Sequence, residues 1–380
     1  MTTVNLPDGP LTLTAGPLPE ATGTWTRTAY AAAHVVADPL AEIDPWLDAA
    51  VDWDKTLAFR EHLWSLGFGV AEAMDTAQRG MGLDWATSLE LIQRSTALAK
   101  AGGHLIASGA GTDHLAPGPD VTLDDVIRAY EEQCEAVEAT GSRVILMASR
   151  ALAQVAKGPE DYAKVYGRVL SGLEQPAVLH WLGEMFDPAL VGYWGSHDHM
   201  AAMDTALSVI AENADKVDGI KISLLSEEKE IKMRRGLPEG VRMYTGDDFN
   251  YPDLIEGDEQ GFSHALLGIF DPIAGAAARA LSQLAAGDVA AYHKTFAPTV
   301  PLSRHIFKAP TRFYKTGVVF MAYVTGHQDH FTMIGGQEST RSTRHLGELM
   351  RLANTAGLFI DPGLAAARAR PIFEARGVAQ

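Results

Sequence analysis

From about residue 29 the chain alternates short apolar, β-branched runs with longer stretches in which apolar residues return every three or four positions. That alternation is the mark of strands followed by amphipathic helices. Eight runs read as strands, at residues 28–36, 68–74, 103–109, 143–148, 177–182, 219–224, 242–245 and 262–267. Helical periodicity predicts helices over 53–66, 85–100, 123–140, 159–173, 198–211 and 273–286, with shorter ones at 227–235 and 251–256. Eight strands with eight connections predict a (β/α)8 TIM barrel, an α/β fold whose chemistry gathers at the C-terminal ends of its strands. Thr122 before Leu123, with Asp125 three positions on, predicts a capped helix start, and Ser196 before His197, Asp198 and His199 reads the same way.

After residue 287 the pattern is wholly helical (AAGDVAAYHKTFAP, FYKTGVVFMAYVTG, STRHLGELMRLANTAG), interrupted by the Gly-rich stretch GHQDHFTMIGGQEST. The chain therefore divides into an N-terminal arm at 1–27, a barrel at 28–287 and a C-terminal helical extension at 288–380. The first 24 residues, rich in Pro, Gly and Thr, are expected to form an arm or loop.

Charge narrows the partners. With 31 Lys and Arg against 48 Asp and Glu, the net charge is 31 − 48 = −17, and such a surface repels the phosphates of nucleic acid. A small-molecule substrate is expected instead. The single cysteine, Cys134, has no basic neighbour in EEQCEAVEA and reads as structural. No basic, apolar leader opens the chain and no run of 18 apolar residues follows, so neither a signal peptide nor a membrane span is predicted and a reducing cytoplasm is expected.

The sharpest chemical feature is Lys221, inside the apolar run VDGIKISLL. Burial disfavours an ammonium and favours the neutral amine, a nucleophile that can form a Schiff base with a carbonyl. The same lysine could simply pair with a carboxylate. Its neighbours decide between the two. VDGIKISLL, then YTGDDFNYPDLI and GFSHALLGIFDPIAG, resemble the sixth to eighth strands of the dihydrodipicolinate synthase and N-acetylneuraminate lyase superfamily of class I aldolases. VDWDKTLAFREHLWSLGFG resembles the first barrel helix leading into strand two, and HLIASGAGTD resembles strand three. FYKTGVVFMAYVTG and STRHLGELMRLANTAGLF resemble the C-terminal helices, so the likeness spans about residues 28–362.

The resemblance implies a lyase without a cofactor, with the imine on Lys221 as electron sink, in a homo-oligomer, dimer or tetramer. Where the family holds a keto-acid carboxylate with hydroxyl residues, this chain has Asp75 and Thr76, and Asp75 would repel a carboxylate. Where the family relays protons through a tyrosine on strand five, this chain has His180, a competent general acid or base. Asp247 and Asp248 stand where the lyases hold sugar hydroxyls, unless one caps the following helix; His264 stands at a substrate contact, and Arg150 could hold an anionic end. The expected activity is aldol cleavage or dehydration of a small hydroxylated carbonyl compound, a sugar-derived ketone or 2-keto acid of carbohydrate metabolism.

Two other readings stay open. His34, Glu72, His104, His180 and His264 fall on predicted strands and could form the metal site of a sugar isomerase or hydrolase. SHDH at 196–199 and HQDH at 327–330 suggest metal only superficially, the first reading as a helix start and the second as a polar loop. A catalytically silent barrel that binds a ligand is the other alternative.

Overall fold

A computed structural model describes residues 1–17 and 24–380; part of the predicted N-terminal arm thus lies outside the described residues. A hairpin, β1 (Thr3–Leu6) and β2 (Gly9–Thr12), precedes the strands β3 (Ala29–Ala32), β4 (Gly69–Glu72), β5 (Ile106–Ala110), β6 (Arg143–Leu146), β7 (Ala177–Leu182), β8 (Val217–Ser223), β9 (Arg242–Thr245) and β10 (His264–Leu267). The last eight are parallel and close on themselves, with β10 pairing to β3. The predicted (β/α)8 barrel with a helical C-terminal extension is therefore the observed fold.

The helices around it are α1 (Trp53–Ser65), α2 (Trp85–Gly102), α3 (Leu123–Thr140), α4 (Arg150–Val155), α5 (Pro159–Gly172), α6 (His199–Glu212), α7 (Glu227–Gly236), α8 (Tyr251–Glu256) and α9 (Ala274–Ala285). The extension adds α10 (Val289–Phe296), α11 (Thr299–Ile306), α12 (Tyr314–Thr325), α13 (Thr343–Thr355) and α14 (Pro362–Ala375). Thr122 caps α3 in a reciprocal box with Asp125. For α6 the cap is Asp198, which accepts from Met200 N, and Ser196 instead accepts from Asp198 N. The six-residue α4, capped by Ser149, is too short to show a helical period in the sequence.

The barrel interior is built from unequal side chains. Tyr30 and Tyr244, with rings 6.1 Å apart, fill its N-terminal half, where small residues such as Ala32, Ala71 and Ala107 leave room. Gly219 is required there, because a Cβ would come 2.7 Å from the Tyr244 ring. The Tyr244 hydroxyl donates to Asp218 (2.7 Å), which also pairs with Arg143 (2.8 Å) and Arg242 (3.2 Å) and closes that end. On the outer face, Arg60 of α1 grips Glu72 of β4 through two bonds of 2.9 and 2.8 Å and also donates to the His34 carbonyl. Both side chains are fully buried. Cys134 is buried on α3, where desolvation pushes its thiol up to about 12, consistent with a structural role.

The first 12 residues are ordered, not irregular. Val4, Leu6 and Leu13 are buried, Arg370 of α14 donates to the Thr3 and Met1 carbonyls, and Asn5 exchanges bonds with Gln380. No helix among the described residues is long and apolar enough to cross a membrane.

Candidate active site

Lys221 lies at the middle of the barrel, in register between His180 on β7 and Tyr244 on β9. Strand alternation turns it inward, and Gly246 lets its stem pass, since a Cβ there would meet Lys221 Cε at 2.8 Å. The amine makes no hydrogen bond or ion pair with any described residue. Burial lowers its pKa, opposed by the field of Asp248 and then of Asp75.

Asp248 follows β9 and is buried beside Lys221, with one oxygen accepting from Ile269 N (2.9 Å). Desolvation raises its pKa to about 7, against the attraction of Lys221. Asp247 takes a different part, in the turn before α8, whose own N-terminus begins after Asn250 with no side-chain cap. Its carboxylate accepts from Phe249 N (2.8 Å), Asn250 N (3.1 Å) and Asn250 Nδ2 (2.8 Å), and so fixes the turn into α8. His180 is buried, with Nε2 3.3 Å from Ser223 Oγ and Nδ1 without a partner among the described residues. Burial, and then Lys221, hold its pKa well below the usual histidine range, so the ring is neutral.

A cavity at the ends of β4 to β7 is lined by Asp75, Arg150, His180, Leu182 and Asp187, among others. Asp75 opens the turn after β4 and Arg150 opens α4, where it pairs with Asp187 at 2.5 Å. Thr76 Oγ1 lies 2.8 Å from the Tyr314 hydroxyl.

Tyr314 and Lys315, at the start of α12, went unpredicted. Lys315 is buried, donates to the Arg312 carbonyl (3.1 Å) and Met81 Sδ (3.4 Å), and is lowered to about 8 by burial in spite of Asp75 and Asp187. Its sequence signal resembles that of Lys221, a lysine opening an apolar run, FYKTGVVFMAYV.

His264 is not at the mouth. It is the first residue of β10, so it sits at the opposite, N-terminal end, where its Nδ1 accepts from Thr28 N at 2.9 Å. The five residues of the alternative metal site also stay apart. Glu72 faces outward to Arg60, His34 pairs with Asp271 at 2.7 Å, and His104 precedes β5 and stacks on Trp64. Among the described residues the group able to converge on a metal is Asp253, Glu256 and His293, outside the barrel on α8 and α10. A larger hollow, about 520 Å³, is bounded by residues of α1, α9, α10 and α12 and contains no predicted site residue.

The architecture is that of the dihydrodipicolinate synthase proteins. YagE from E. coli K12, a prophage protein of the dihydrodipicolinic acid synthase family solved in complex with pyruvate, superposes with a TM-score of 0.67 at 12% identity over 88% of this chain and 99% of its own. Chloride-inhibited dihydrodipicolinate synthase from Acinetobacter baumannii, complexed with pyruvate, gives 0.64 at 15% identity over 88% and 100%. The Aquifex aeolicus enzyme gives 0.65 at 11% identity over 88% and 99%. At these identities the likeness is one of fold. No curated protein matches the sequence. The chain belongs to the family described as "Protein of unknown function (DUF993)", which matches residues 11–378.

Proposed function

We propose that this protein is a Schiff-base-forming lyase, an aldolase or dehydratase acting on a small hydroxylated carbonyl compound, a sugar-derived ketone or 2-keto acid, through an imine on Lys221. The observation that carries this reading is an unpartnered amine buried in the barrel, level with a neutral His180 and beside Asp248. The neutral amine adds to the carbonyl carbon, and the carbonyl oxygen takes up protons and leaves as water. The resulting iminium takes up the electron pair of the adjacent C–C bond as a base removes the proton of the hydroxyl beyond it; in a dehydration it takes up the pair of an adjacent C–H bond instead, and the enamine then expels a hydroxyl group from the next carbon, protonated as water, so the imine itself serves as electron sink. Asp248, near 7, can give and recover a proton around neutral pH, and His180 offers Nδ1 for the same purpose. The metal-dependent alternative lacks a converged ligand set among the residues considered for it.

The test is borohydride reduction in the presence of a panel of ketoses and keto acids, followed by peptide mass spectrometry. An adduct on Lys221 is expected; a broad failure to trap one, with activity lost on chelation, would reverse the reading. His180→Phe is expected to keep the adduct while turnover falls by about 10²-fold or more, the usual scale for a proton-transferring group. A variant with unchanged turnover would remove His180 from the chemistry.

The pH profile has a definite sign. Only the neutral amine attacks, so adduct formation rises with pH as Lys221 loses its proton. Asp248 raises the Lys221 pKa, so Asp248→Asn should move this rising limb to lower pH. A stopped-flow or quenched-trapping pH series reads the shift, and a limb moving upward would contradict the assigned neighbours.

A further inference from the structure

The charged groups of the site are arranged for a substrate of one kind. The cavity is lined by the cations Arg79 and Arg150 and the carboxylates Asp75, Asp113 and Asp187; outside the lining, Lys221 lies in the field of Asp248 and Asp75, and Lys315 in that of Asp75 and Asp187, so at full formal charge these groups sum to 4 − 4 = 0 before any substrate enters. Two of the cations are consumed. Arg79 pairs with Asp113 at 2.8 Å and donates to backbone carbonyls, and Arg150 pairs with Asp187. Lys315 is directed to the Arg312 carbonyl and Met81. Behind Asp248 lies Asp247, another carboxylate, with Arg304 as its distant counter-charge.

The hydroxyls near the cavity are paired with one another. The Thr76 hydroxyl is bound to Tyr314, and the Thr112 hydroxyl lies 2.6 Å from Ser149 Oγ. Among the carboxylates Asp75 stands apart: it lines the cavity yet its side chain forms no hydrogen bond or ion pair with a described residue. It acts on Lys221 and Lys315 only through space. A carboxylate with open acceptor positions calls for hydroxyl donors, and a second carboxylate brought beside it in a buried site is repelled.

We infer that the compound taken by Lys221 is a neutral polyhydroxy ketone or aldehyde bearing hydroxyls, not a carboxylate, beside its carbonyl, and that Asp75 is the residue that selects it. This inference rests on Lys221 being the imine-forming residue. Asp75 accepts from hydroxyls on the carbons flanking the carbonyl and keeps a keto acid out by like-charge repulsion. The charge balance then survives substrate entry, and it is the same for the resting ammonium and the iminium, because the proton Lys221 loses before attack is taken up again as water leaves.

The experiment compares two three-carbon ketones, dihydroxyacetone and pyruvate, as probes in borohydride trapping, with the adduct quantified on the Lys221 peptide in wild type, Asp75→Asn and Asp75→Thr. Wild type is expected to trap dihydroxyacetone about tenfold to a hundredfold more readily than pyruvate, the scale of one like-charge contact in a partly buried site. Both variants should gain pyruvate adduct by a similar factor and lose dihydroxyacetone adduct. Equal or preferential trapping of pyruvate by wild type, or variants that leave the ratio unchanged, would overturn the role of Asp75 while the imine on Lys221 stands. Trapping of neither ketone on Lys221, in a panel where longer ketoses also fail, would overturn the imine and the inference with it. Circular dichroism of each variant verifies that the partly exposed Asp75 was replaced without loss of fold.

Discussion

Lys221→Met eliminates the trapped adduct and lowers turnover by about 10⁴-fold or more, as expected when the covalent nucleophile of a concerted set is removed. The same change should leave the protein at least as stable as wild type. Among the described residues the ammonium form has no ion-pair partner, so folding bears its desolvation, and methionine fills similar volume without that burden. Differential scanning calorimetry at neutral pH should therefore show an unchanged or higher Tm for an inactive protein. Residual turnover within about tenfold of wild type would end the assignment. A marked fall in Tm would show instead that the amine holds the structure together.

The largest expected effect on stability lies on the outer face of the same barrel. Glu72→Ala leaves the Arg60 guanidinium buried without its carboxylate, a change that typically costs about 3–5 kcal/mol. Glu72 also accepts from Ala73 N (2.9 Å), and Ala73 adopts φ 52° at the start of the turn that presents Asp75. Loss of Glu72 should therefore reduce activity in the fraction that still folds. Denaturant unfolding reads the stability, and the double replacement Arg60→Met with Glu72→Met is expected to recover much of it, because two apolar side chains need no desolvation of charge. If Glu72→Ala costs under about 1 kcal/mol, the pair is as weakly stabilising as an exposed one.

The barrel was legible because each strand is short, apolar and bounded by helices of clear period. Lys221 was legible for a related reason: a lysine between Ile220 and Ile222 breaks a buried pattern. Depth along a strand was harder to read. The sequence suggests a strand over 262–267, but pairing begins at His264, which puts that ring at the wrong end of the barrel. Asp247 and Asp248 are adjacent and chemically identical, and only the backbone turn decides that Asp247 accepts the amides of the next residues while Asp248 accepts from Ile269 N and lies in the field of Lys221. His34 and Glu72 fall where strands bend toward helices, so side-chain partners, not alternation, fix their direction. Tyr314 and Lys315 reach the site from more than 90 positions beyond Lys221, a separation no local pattern bridges. The hairpin could have been read: Val4 and Leu6 alternate, Pro7, Asp8 and Gly9 signal a turn, and Leu11 and Leu13 alternate again. Its Pro, Gly and Thr content pointed to a loop instead.

That hairpin packs on α14, and α14 packs on α12, the helix whose first turn delivers Tyr314 and Lys315. The two ends of the described chain are thus clasped together, and the clasp lies one helix away from the wall of the reaction chamber. For anyone who handles the protein, affinity tags and terminal deletions are then not neutral choices. A fusion placed before Met1 or after Gln380 joins the chain at this fastening, whereas an insertion in the exposed loop around Trp46 lies away from it.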